Sequence, residues 1–239
     1  MMYLNSTQQA LRSALLQQAE EAFSEKPDVA GVVHGRRYIT QGARGKRTGL
    51  FPSRMNDMTI AVESQTEDLF CLLLERDPNV MGYRCQSLEI EYGNGLRYFS
   101  DFLIRTWDNR WLVREIKPNR NHLSVEDRES YNVVEMLLMQ CGFDFAVVDA
   151  TDFPSTVALD NLRYLYHRSR HKQWSKYECD LAMEHMWRLP MPLPLGVTHH
   201  HVAEIGLSPL LVEYLLFHGQ LLVELNLPLR LDSLVGLPS

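Results

Sequence analysis

The segment RYFSDFLIRTWDNRWLVREIKP, residues 97–118, sets Asp101, Glu115 and Lys117 inside two apolar stretches that flank a polar turn. Each stretch alternates in the manner of a strand, where successive side chains point to opposite faces. Glu115 and Lys117 are two apart and share a face, with Val113 as their apolar neighbour on it. Asp101 joins that face if it lies across from Glu115 or Lys117, which demands an odd-length connection such as Asp108, Asn109 and Arg110, or a bulge. Two carboxylates held together repel, and a hard, oxygen-preferring ion such as Mg²⁺, with Mn²⁺ as a substitute, relieves that repulsion. A lysine beside them adds a fixed positive charge, suited to orienting or helping to deprotonate a water that attacks phosphorus. That is the chemistry of phosphodiester hydrolysis. The plainer reading is a solvated strand face carrying a surface ion pair.

Context favours the first reading. Of the five lysines, Lys26, Lys46, Lys117, Lys172 and Lys176, only Lys117 has an acid two residues before it. The segment ESQTEDLFCLLLERDP, residues 63–78, reads as a helix stopped by Pro78, with Glu63 and Glu67 four apart on one face. Glu67 stands beside Leu69 and Phe70, where a purely structural helix more readily places an apolar residue, so a third carboxylate is available.

The elements that must position these groups follow in order. Residues 6–24 carry Leu11, Leu15, Leu16, Ala19 and Phe23 at helical spacing, ended by Pro27. After the 63–78 helix come strands at 83–92, 96–105 and 111–117, read as three consecutive antiparallel strands. Ser124 with Asp127 opens a helix running to about Cys141, and FDFAVVDA supplies a further strand. Residues 156–176 are read as a connecting segment, in which Arg168, Arg170, Lys172 and Lys176 are interleaved with Tyr164 and Trp174. Residues 177–239 read as helix, turn, helix and a small hairpin, an order that suits a winged-helix-like α+β module. The expected class is therefore α/β.

Charge is segregated within a net of −6 over 239 residues. Between Asp28 and Asp57 there is no acid, while Arg36, Arg37, Arg44, Lys46, Arg47 and Arg54 fall among glycines. Residues 1–60 are thus expected to form an N-terminal helix and a basic arm that meets DNA phosphates, ahead of a core at 61–155. Beyond Lys176 the balance is acidic, and the helix expected at 208–219 holds Glu213 and no Lys or Arg, which argues for a protein partner met by Leu211, Tyr214 and Leu215. Four cysteines without a CxxC pair point to reduced thiols and a cytoplasmic setting. The longest apolar run, LFCLLL, is far short of a membrane span, and no membrane partner is expected.

Residues 49–118 combine ESQTEDLFCLLLERDP, the YRCQ strand entry, SDFLI and REIKP in order and at short spacing. This run resembles the catalytic domain of the TnsA family of transposon-end endonucleases. The resemblance implies a restriction-endonuclease-like core of helix, three antiparallel strands, helix and strand. It also implies an active site of helix Glu67, strand Asp101, then Glu115 and Lys117, with Asp101, Glu115 and Glu67 on the metal. Glu63, one turn earlier, is the alternative helix glutamate, and Ser100 stands where the broader superfamily often has proline. By the same resemblance the chain nicks the 5′ side of transposon ends, while a DDE-type transposase cuts and joins the 3′ ends and an AAA+ ATPase regulator also contacts such subunits. Such an enzyme is bacterial and nucleoid-associated when on DNA. The rivals are a repair or restriction nuclease of the same fold, and a non-catalytic subunit that binds DNA or protein.

Overall fold

Two interruptions in the expected strands at 83–105 shape the fold. The computed structural model describes residues 6–37, 39, 47–93, 95–170 and 172–238. Arg44 and Lys46 of the basic arm lie outside them. The chain divides after Phe153 into two units. The architecture is mixed α/β, with seven α-helices and four small sheets among the described residues. No helix among them is long and apolar enough to cross a membrane.

The first unit runs α1 (Ser6–Ser24), β1 (Val32–Val33), β2 (Gly49–Ser53), β3 (Met58–Val62), α2 (Gln65–Arg76), β4 (Val80–Cys85), β5 (Glu89–Tyr92), β6 (Leu96–Phe99), β7 (Phe102–Thr106), β8 (Trp111–Lys117), α3 (Val125–Gln140) and β9 (Phe143–Asp149). The central sheet has the order β4-β7-β8-β9, with the first two pairings antiparallel and the last parallel. The stretch expected as one strand at 83–92 breaks at Gln86, whose φ of 51° lies in the left-handed region and turns the chain out of the sheet. The stretch at 96–105 breaks at Ser100 and Asp101, so β5 and β6 pair as a separate hairpin inserted between β4 and β7. The antiparallel trio is thus β4, β7 and β8.

The described residues of the 1–60 segment belong to the first unit. Leu15, Ala19 and Ala22 of α1 are buried in one cluster with Leu103, Trp111, Val113, Val134, Leu138 and Phe143, because an amphipathic helix is stable only with its apolar stripe covered. After α1 the described residues up to Val62 include β1, β2 and β3, a three-stranded sheet in which Phe51, Ile60 and Val62 are buried.

The second unit contains α4 (Thr156–Ser169), α5 (Lys176–Met186), β10 (Leu193–Pro194), α6 (Leu195–Glu204), α7 (Leu211–Phe217), β11 (Leu222–Val223) and β12 (Leu234–Gly236), with the sheet order β10-β12-β11. Residues 156–176 do not merely connect. Ala158, Leu159, Leu162, Leu165 and Tyr166 of α4 are buried, and Tyr166 packs on Phe217 of α7 at 5.1 Å between ring centroids. The Asn161 side chain adds two bonds to the carbonyls of Leu225 and Leu227, both at 2.8 Å. Leu211 and Leu215, expected to face a partner, are fully buried as well. A continuous apolar helix in so small a unit is needed for its own core. Tyr214 is half-buried, its ring 4.3 Å from that of His218.

Candidate active site

Asp101 sits in the break before β7 and reaches β8 through its side chain: Ile116 N donates to its Oδ2 at 2.8 Å, and Gln86 Nε2 donates to Oδ1 at 3.1 Å. The register pairs Phe102 with Arg114 and Arg105 with Trp111, and one further step sets Asp101 opposite Glu115. The connection that achieves this is Trp107, Asp108 and Asn109, closed by Thr106 N donating to Arg110 O at 3.1 Å. Its length is odd, as the shared face requires, though displaced by one from the residues read in the sequence. Asn109 takes φ 60°, a position that asparagine tolerates better than most side chains.

Glu115 and Lys117 lie on one face of β8, joined by an ion pair of 2.6 Å between Lys117 Nζ and Glu115 Oε1. Tyr131 of α3 donates to that same oxygen at 3.0 Å, and Tyr98 of β6 donates to Oε2 at 2.7 Å. Glu67 stands in the first turn of α2, where its backbone N–H is capped by Ser64. Its carboxylate accepts from Glu63 N at 2.8 Å and Ser64 Oγ at 2.9 Å. The helix start thus fixes Glu67 where it lines the same cleft as Asp101, Glu115 and Lys117. Glu63, the alternative, is engaged by Arg37 Nη2 at 2.8 Å.

All three acids are buried. Burial, then the charges of Glu115 and Glu67, lift the Asp101 carboxyl to about 8. Burial also raises Glu67, although the donors from Glu63 and Ser64 oppose it. For Lys117, burial alone would lower the ammonium, but the charge of Glu115, the hydrogen bond to it and the charge of Asp101 outweigh burial and hold it up. Too much negative charge for one lysine is therefore held on hard oxygen atoms, a donor set that suits Mg²⁺ or Mn²⁺. Among the described residues no three His, Cys, Asp or Glu side chains converge as a ready cage. Asp101 and Glu115 are the pair that would hold the ion, with Glu67 on the same cleft and each of its oxygens accepting one bond at the start of α2.

The cleft encloses about 680 Å³, and Arg37, Arg47 and Arg97 line it together with the acids. Of the basic residues read in the sequence, Arg37 and Arg47 reach it. Arg36 does not line it and pairs with Glu21 at 2.6 Å, and Arg54 stands in the turn between β2 and β3. Sequence reasoning missed Arg97, Tyr98, Tyr131 and Gln86. The alternation of β6 carries a signal for two of them, since it sets an arginine outward and a tyrosine inward next to the acid-bearing strand. Tyr131 and Gln86 come from segments that only the tertiary fold brings near. Compared with known proteins, the chain matches no family model and no curated protein sequence.

Proposed function

We propose that this chain is a metal-dependent DNA endonuclease of the restriction-endonuclease-like fold, hydrolysing phosphodiester bonds at the 5′ side of transposon ends alongside a DDE-type transposase and an AAA+ regulator. The observation that carries the reading is that buried Asp101, tied to β8 by Ile116 N, and buried Glu115 line one cleft, with Lys117 in an ion pair with Glu115. A solvated strand face does not bury its acids. Bound Mg²⁺ would supply Lewis-acid polarisation of the phosphate and a lowered pKa for its water. The chain's own residues do the rest. Lys117 is a fixed cation for the attacking water or the developing phosphate charge, Glu67 adds negative charge that favours a cation in the site, and Arg37, Arg47 and Arg97 meet backbone phosphates.

In the second unit, α6, α7 and the β11–β12 hairpin support a winged-helix-like reading with a protein partner. The apolar surface available to that partner is not α7 but Leu222, Leu227, Leu231 and Leu234, all exposed on or near the hairpin. The test of the enzymatic reading is nicking of labelled transposon-end DNA in Mg²⁺, with and without the transposase. Wild type is expected to nick and a folded Asp101→Ala to lose at least about 10²-fold in rate. Unimpaired nicking by that variant removes the assignment.

A further inference from the structure

Glu115 is held from three sides. Lys117 and Tyr131 occupy Oε1 and Tyr98 occupies Oε2. A carboxylate offers about four acceptor positions, so three are used and one remains, on Oε2. The two tyrosines come from different elements and are themselves wedged. Tyr98 and Tyr131 meet edge to face at 6.3 Å, and each lies 6.2 Å from the Phe145 ring. The Lys117 ammonium also lies 5.7 Å from the Tyr131 ring centroid, so the same ring aims the lysine. Phenylalanine would fill this aromatic wedge without a hydroxyl to desolvate; both hydroxyls instead meet Glu115, and that of Tyr131 also meets Lys117.

We propose that Tyr98 and Tyr131 are positioning residues that restrict Glu115 to one-oxygen coordination and thereby select a small octahedral ion over Ca²⁺. This rests on the metal-dependent reading above. Mg²⁺ and Mn²⁺ accept single oxygens in near-octahedral sites, whereas Ca²⁺ takes more ligands and readily accepts a carboxylate through both oxygens. Removing the Tyr131 hydroxyl frees the position on Oε1 that two-oxygen coordination needs, and removing that of Tyr98, on the oxygen already open, loosens the rotamer. The cost falls on the ion that demands exact placement, and the freed position favours the larger one.

The experiment is calorimetric titration of the full chain with Mn²⁺ and with Ca²⁺, for wild type, Tyr98→Phe and Tyr131→Phe, each checked for a cooperative melt. Loss of an outer-shell partner weakens metal binding by about 10–100-fold, so each variant is expected to lose at least about tenfold in its Mn²⁺ to Ca²⁺ affinity ratio. Tyr131→Phe opens Oε1 and Tyr98→Phe frees the rotamer, so each variant that folds tests one of the two restraints on Glu115. A ratio within about twofold of wild type, in a folded variant, overturns the inference and leaves the nuclease reading standing. Absence of Mn²⁺ binding by wild type overturns both.

Discussion

Asp101 shows at the scale of one residue how a functional group opposes stability. Its carboxyl is lifted to about 8, first by burial and then by Glu115 and Glu67. The folded chain therefore keeps a proton that the unfolded chain releases near pH 4, and a state that binds more protons loses stability as pH rises. In a chelated sample the melting temperature should fall between about pH 5 and pH 8, and Asp101→Asn should flatten that fall. At the upper end the variant should melt above wild type by several degrees, since about 2–4 °C accompanies each kcal/mol in a chain of this size. Parallel pH profiles for the two proteins would show that Asp101 carries no such penalty. Asp101, Glu115 and Lys117 were legible in the sequence because a two-residue period and an odd loop suffice to gather them. The groups that hold Glu115 and Asp101 were not, because nothing local links Tyr131 or Gln86 to β8.

Another buried acid, at the scale of the elements, has the opposite role. Glu75 of α2 accepts from Ser53 Oγ at 2.5 Å, Tyr83 Oη at 2.9 Å, Arg54 N at 3.2 Å and Met55 N at 3.0 Å. It ties α2 to β2 and β4, and four donors satisfy it without a cation. Glu75→Ala should lower stability by about 2–4 kcal/mol, because it takes away the acceptor shared by two hydroxyls and two amides. A urea midpoint unchanged from wild type would show the clamp to be idle. Both Glu67 and Glu75 lie on α2, and the sequence marked only the first. Element types in this unit were readable from apolar periodicity, but their ends were not: the apolar runs through 83–92 and 96–105 conceal the left-handed turn at Gln86 and the bend at Asp101 that detach the β5–β6 hairpin. That hairpin is what delivers Tyr98 and Arg97 to the cleft.

At the scale of the whole molecule, the boundary between units decides which truncations are meaningful. The sequence reading ends the core at 155, makes 156–176 a connector and begins the second module at 177, where charge turns acidic, because composition reports solvent exposure and not packing partners. The structure places it after Phe153, whose ring stacks on Phe70 of α2 at 6.2 Å and so belongs to the first unit. Ser155 already serves the second unit, capping α4 and donating to Asn226 Oδ1 at 2.8 Å. A chain ending at 176 would therefore keep α4 and strip away α7, uncovering Leu159, Leu162, Leu165 and Tyr166, four large side chains worth about 1.5–3 kcal/mol each when buried. A chain ending at 153 uncovers none of them. Expression of residues 1–153 should yield a monomer with one cooperative melt and the Mn²⁺ affinity of the full chain, whereas residues 1–176 should bind a hydrophobic dye strongly and aggregate. Equal behaviour of the two fragments in dye binding and size-exclusion chromatography would place the boundary elsewhere.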